Sequence, residues 1–150
     1  MIFVTGGAGY IGSHTCVELL TAGQQVAVFD NFCNSSRESI ARVESITGKK
    51  VLLIEGDIRD KAAMVQAMRQ CNATAVVHFA GLKAVGESVG QPLMYYDNNV
   101  VGTVRLLEVM KDRGVHTLVF SSSATVYGDP QYLPLTEGHP LSATNPYGRT

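Results

Sequence analysis

Residues 2–12 read Ile2-Phe3-Val4-Thr5-Gly6-Gly7-Ala8-Gly9-Tyr10-Ile11-Gly12. Four residues fit to be buried as a strand run into glycines. A helical pattern follows to about Ala22, with Ile11, Cys16, Leu19 and Leu20 at helical spacing. Gly6, Gly9 and Gly12 form GxxGxxG between strand and helix, a variant of the dinucleotide fingerprint. The early glycines permit a tight turn and close approach of a pyrophosphate to backbone N–H groups at the helix N-terminus. The last glycine lets helix pack on strand. By itself such a pattern is weak, and its setting between strand and helix is what raises it.

The alternation continues. Strands are expected at Val26–Asp30, Val51–Glu55, Ala75–Ala80 and Thr117–Ser122. Helices are expected over 35–47, opened by a Ser35-x-x-Glu38 capping box and stopped by Gly48, and over Lys61–Gln70, capped by Asp60. A third long one runs from Pro92 to Arg113, closed by Gly114, with Gly102 inside it for close packing. This βαβαβαβαβ order predicts an α/β fold: a doubly wound parallel sheet of Rossmann type with helices on both faces. Asp30 closes the second strand, 18 residues after Gly12. A carboxylate there accepts from ribose hydroxyls and repels a 2′-phosphate, and no Arg or Lys adjoins it, so NAD is favoured over NADP.

Composition bounds the function. The 150 residues are 45% hydrophobic and 17% charged, with net charge -1, which fits one globular domain. The charge balance excludes a polybasic nucleic-acid or membrane-surface protein. Cys16, Cys33 and Cys71 form no CxxC and the four histidines show no ligand spacing, so neither disulfides nor a metal site is expected. The N-terminus carries no signal-peptide pattern and no apolar run has membrane-spanning length, so a cytoplasmic location is expected. Proline is absent before Pro92, and four of five prolines (Pro130, Pro134, Pro140, Pro146) fall in the last 21 residues. That segment is expected to be a long loop, with Pro146 opening another helix.

The segments TGGAGYIGSH, DNFCNSS, GDIRD, HFAGLKAVGES, YYDNNVVGT, SSSATVYG and NPYG occur in order. Together they resemble the nucleotide-sugar epimerases of the extended short-chain dehydrogenase/reductase family, over all 150 residues. The resemblance implies NAD contacts at Tyr10, Ile11, Asp30, Asn31, Phe32, Cys33, Asn34, Ser35, Asp57, Ile58, Phe79, Ala80, Gly81, Leu82, Lys83 and Asn98, beside Gly6, Gly9 and Gly12. It implies a catalytic Ser123 and a catalytic Tyr147, the tyrosine of a Tyr-x-x-x-Lys motif. Lys83, Ser123 and Tyr147 would also face substrate. Taken singly, Asp57-Ile58 reads as a turn and a core residue, Ser123 as a polar strand end, and Tyr147 as a helix-start aromatic.

The implied activity is NAD-dependent interconversion of UDP-galactose and UDP-glucose by oxidation at C4, turning of the 4-keto sugar and re-reduction, a step of galactose metabolism. A tyrosine serving as base titrates near 10 unperturbed, so it needs neighbouring positive charge. A 4,6-dehydratase needs a further acid and base after the strand-five serine, where this chain has Ala124 and Thr125. A decarboxylase or simple reductase stays open, and a non-catalytic dinucleotide sensor would have no use for Ser123 and Tyr147. The motif's lysine would follow Thr150. The sequence is therefore expected to be the N-terminal part of a longer chain whose substrate domain lies beyond it. Alone it is expected to bind cofactor without turnover. A homodimer through Pro92–Arg113 is implied by the resemblance.

Overall fold

The computed structural model describes residues 1–150. Five parallel strands, β1 (Ile2–Thr5), β2 (Val26–Asp30), β3 (Leu52–Glu55), β4 (Ala75–His78) and β5 (Leu118–Phe120), stand in the order β3-β2-β1-β4-β5. Helices α1 (Tyr10–Thr21) and α2 (Arg37–Thr47) cover one face; α3 (Lys61–Gln70) and the later α6 (Gly102–Arg113) cover the other. The doubly wound fold expected from the alternation is therefore present. β2 is buried along its whole length, which explains its unbroken apolar run before Asp30.

Each face closes its own core. Phe3, Phe29, Met64, Met68, Leu106 and Val109 meet on one side, with the Phe3 and Phe29 rings 5.6 Å apart. Val4, Cys16, Leu20, Val28, Ile40 and Val43 meet on the other. Each such side chain, fully buried, contributes about 1.5–3 kcal/mol. Burial also pushes the Cys16 thiol up to about 12, so it packs as a small apolar group.

Several boundaries differ from the sequence expectation, each for a local reason. The α2 cap is Ser36, whose side chain accepts from the Glu38 N–H; Ser35 instead donates to Asp30 at 2.8 Å, so the expected capping box does not form. Ile11 lies half exposed and outside the α1 stripe. The β4 and β5 strands are shorter than expected. The long helix over 92–113 is three pieces: α5 (Pro92–Tyr95), a π turn over Tyr96–Val101, and α6. A further short helix, α4 (Val85–Gly90), precedes them. The segment expected as one long loop opens with a 3₁₀ turn at Ala124–Tyr127, whereas α7 (Pro146–Arg149) begins at Pro146 as expected. Gly102 packs against Ile58, whose Cδ1 would lie 2.6 Å from an added Cβ; close packing accounts for that mid-helix glycine. No helix is long and apolar enough to cross a membrane.

The turn after β1 carries the tightest constraint. Gly6 has φ of 69°, and an added Cβ would sit 2.5 Å from the Ala80 backbone nitrogen. Gly12 abuts the Gly6 carbonyl equally closely. Gly12→Ala should lower the unfolding free energy by about 1–3 kcal/mol, because backbone and not a flexible side chain must give way. Gly86→Ala, in α4 with open space around it, should stabilise by up to about 1 kcal/mol. Urea denaturation of the two variants checks both signs.

Candidate cofactor and active-site cleft

The strand order turns at β1, with β2 on one side and β4 on the other. Segments leaving the carboxyl ends of β1 and β4 diverge there, which is where ligands enter open α/β sheets. A cleft of about 440 Å³ opens at that point. Its walls are the glycine turn (Gly6, Gly9–Gly12), the post-β4 segment (Phe79–Lys83), the end of β5 through Ser123, and the first turn of α7 with Tyr147. A smaller recess of about 60 Å³ adjoins it, lined by Asp30, Asn31, Cys33, Asn34, Ile58 and Asn98, and shares Gly6, Gly9 and Phe79–Lys83 with the larger one.

These two spaces bring together all but three of the residues expected at the site. Phe32, Ser35 and Asp57 do not line them. Each is tied to a residue that does, or to the loop around it. Phe32 has φ of 57° and lies under the Arg37 guanidinium at 4.8 Å. Ser35 donates to Asp30, and Asp57 accepts from the Asn31 side-chain amide at 3.0 Å. Asp57 is also gripped by Arg59, which reaches on to Asp97 at 2.8 Å. The Arg59 hydrogen bonds hold the Asp57 carboxyl well below the usual carboxylate range.

Asp30 is nearly buried and already accepts three hydrogen bonds: from Ala8 N–H at 3.0 Å, Phe32 N–H at 2.9 Å and the Ser35 hydroxyl at 2.8 Å. A carboxylate has about four acceptor positions, so about one remains for a ligand donor. The α1 N-terminus has no side-chain cap and no acidic residue in its first turn. Its positive end therefore stands open to an anion along Gly9–Gly12. At the cleft's rim Lys83 is exposed and joins no ion pair, a free cation for phosphate or hydroxyl. The donor set thus fits a dinucleotide: glycine backbone for the pyrophosphate, Asp30 for a ribose, and a recess beyond Ile58 and Asn31.

Ser123 caps the 3₁₀ turn, accepting from Thr125 N–H at 3.2 Å with its Oγ 2.9 Å from the Thr125 hydroxyl. Tyr147 sits in the first turn of α7, capped by Asn145, which accepts from Gly148 N–H at 2.8 Å. Between these two residues the chain runs as a loop pinned by buried His139. Its Nε2 accepts from Gln131 N–H at 3.0 Å, and its ring packs on Tyr127 and Tyr132.

Sequence reasoning missed some residues that shape the cleft. Asn99 clamps Leu82 from both sides, accepting its N–H at 2.8 Å and donating to its carbonyl at 2.9 Å. Its amide also donates to Thr150 Oγ1 at 2.9 Å. Asn98 and Asn99 both lie in YYDNNVVGT, but the resemblance implies a role only for the preceding Asn98. His78 reads as a core residue and is buried, but it also lines the cleft. Thr103 spends its one hydroxyl proton on the Asn99 carbonyl at 2.6 Å, so the His78 Nε2–H donates to Thr103 at 3.0 Å and Nδ1 accepts from Thr5. The ring is neutral in this arrangement, and burial pushes its pKa down to about 4 from 6.5.

A family model described as GDP-mannose 4,6 dehydratase matches residues 3–150. Proteins named UDP-glucose 4-epimerase from Bacillus subtilis (strain 168) and Homo sapiens are 58% and 56% identical over 99% of this chain. The chain spans 44% and 45% of their lengths. Among solved structures, UDP-glucose 4-epimerase from Bifidobacterium longum in complex with NAD+ and UDP superposes with a TM-score of 0.96 at 54% identity, covering 99% of this chain and 44% of that one. The Stenotrophomonas maltophila enzyme with bound NAD and formylated UDP-arabinopyranose gives 0.95 at 49%, with 99% and 44% covered.

The His78 network makes stability depend on acid. An unfolded chain protonates His78 near pH 6.5, the folded one only near 4. Between those values the unfolded state binds more protons, so stability falls as pH falls, by up to about 3 kcal/mol, and is fully present above pH 6.5. Urea midpoints measured from pH 7 to 4 should show this slope, and His78→Gln, which keeps a donor for Thr103, should flatten it.

Proposed function

The chain belongs to the extended short-chain dehydrogenase/reductase family, and on that footing we propose that it is the NAD-binding part of an isomerase that interconverts UDP-galactose and UDP-glucose at C4, as in galactose metabolism. One observation carries the reading. The glycine turn, Asp30, Lys83, Ser123 and Tyr147, drawn from five separate stretches of sequence, line two adjoining spaces at the switch point of the sheet. The epimerase relatives support it, including two whose solved structures hold NAD. Because the chain covers less than half of those relatives, we assign residues 1–150 to cofactor binding and to the Ser123 and Tyr147 part of the catalytic machinery. The remaining sugar-binding walls and a lysine partner for Tyr147 are assigned to residues outside this range.

The site residues keep the roles given above. Gly6, Gly9, Tyr10, Ile11 and Gly12 would hold the pyrophosphate, and Asp30–Ser35 with Asp57 and Ile58 the adenosine half. Phe79–Lys83, which line both spaces, and Asn98, in the smaller recess, would complete the NAD contacts. When bound, the cofactor supplies reversible hydride acceptance. Tyr147 takes the proton from the C4 hydroxyl and later returns it. Ser123 donates a hydrogen bond to the same oxygen, steadying it while charge builds there. Lys83 is placed for a phosphate or hydroxyl of the substrate. No net redox change results, since what is taken from one face of C4 is returned to the other.

A dehydratase, the activity in the family model's description, is the second reading. Position 124 is alanine and position 125 is threonine, whose hydroxyl is engaged with Ser123, so no carboxylate pair stands there for eliminating water. The three free cysteines suit a reducing, cytoplasmic setting. A homodimer is supported by the exposed apolar side chains Val100, Val104 and Leu107, with Leu93 exposed in α5 before them.

The intact protein should convert UDP-galactose to UDP-glucose without added reductant. Tyr147→Phe and Ser123→Ala should each lower kcat by about 10²–10⁴-fold. Bound NAD with no epimer formed would favour a sensor, and a 4-keto-6-deoxy product would favour the dehydratase. Light scattering of Val104→Asp/Leu107→Asp should give half the mass of the parent protein.

A further inference from the structure

Resting on that reading of Tyr147, we propose that Ser88 is a positioning residue for it, with Tyr95 as its support. The α7 helix has one turn, so its leading N–H groups have no partner within the helix. Pro146 has none to offer. Gly148 N–H goes to the Asn145 side chain and Arg149 N–H to the Asn145 carbonyl at 3.2 Å. Both acceptors are local and say nothing about where the turn lies in the molecule. Tyr147 N–H alone is taken from a distance, by Ser88 Oγ at 3.1 Å across 59 residues. Ser88 is fully buried, and its hydroxyl proton goes to the Val85 carbonyl at 2.6 Å, which leaves its lone pairs facing Tyr147.

The six residues of α4 include two glycines, and nothing in its own length holds it still. Tyr95 does so from α5. Its ring is wholly buried and its oxygen accepts from Ala84 N–H at 3.0 Å. The one phenol proton is shared between the Ala84 carbonyl at 2.9 Å and the Glu87 carboxylate at 2.7 Å. The same ring stands edge-on to Tyr147, centroids 6.3 Å apart. One side chain therefore braces α4 and meets the Tyr147 ring, while Ser88 fixes the Tyr147 backbone. The pair sets where the Tyr147 phenol enters the cleft relative to Ser123. Neither residue lines that cleft.

The test uses the intact protein with Ser88→Ala, which removes the acceptor and leaves no bulk, and Ser88→Cys, which restores a weak one. Expected is a kcat lowered roughly tenfold or more by alanine and less by cysteine, since small misplacement of a catalytic group costs that much. KM for UDP-galactose and bound NAD per chain should stay at the parent values. Amide hydrogen exchange at Tyr147 should quicken by about tenfold in the alanine variant. Parent kcat in both variants would overturn the proposal, as would a loss of NAD in proportion to activity. Unchanged exchange at Tyr147 would overturn it whatever the rates. If the parent protein makes no epimer, the functional reading falls, and the exchange measurement alone decides the contact.

Discussion

Gly6 rests against the backbone of Ala80 with no room for a side chain between them. That contact joins the turn after β1 to the segment after β4, and the rest of the cleft follows from it. Because the two backbones touch, the α1 N-terminus and Phe79–Lys83 become walls of one space instead of two separate loops. Gly12 then lets α1 drop close behind the turn, aiming its N-terminal amides into that space. A side chain at either position would part the sheet at the place where it has to receive a ligand.

Around this contact the polar groups are arranged before any ligand arrives. Asp30 is held by three donors, Asn31 by Asp57, Asp57 by Arg59, and Leu82 by both ends of the Asn99 amide. No buried side-chain polar atom is left without a partner. Ordering costs are thus met during folding, and binding need not meet them again.

Much of this was legible in the sequence, and the legible parts share a cause. Gly48 and Gly114 end their helices in left-handed conformations, and Asp60 accepts from Ala63 N–H, because stop and start signals act over a few residues. The glycine turn and Asp30 were readable because one βαβ unit fixes both. Ser35 misled because a nearby carboxylate outcompeted the helix for its hydroxyl. The α4 helix went unseen since it is held from outside by Tyr95. Asn99 and Ser88 stand inside YYDNNVVGT and HFAGLKAVGES, but their roles could not be read there: each is defined by a partner, 17 and 59 residues away, and no local pattern records such a pairing.

The π turn at Tyr96–Val101 fits one residue more per turn than the helices it joins. An α-helix advances about 100° per residue, so a single inserted residue offsets the rotational phase of everything on one side. The helical run from Pro92 to Arg113 serves two sets of partners that demand different phases. Its later part turns Gly102, Leu106 and Val109 to Ile58 and the sheet; its earlier part turns Tyr95 to α4 and Tyr147. A regular helix through the same residues could satisfy only one of them. The π turn thus acts as a phase coupling between the packed core and the wall of the site that carries Tyr147.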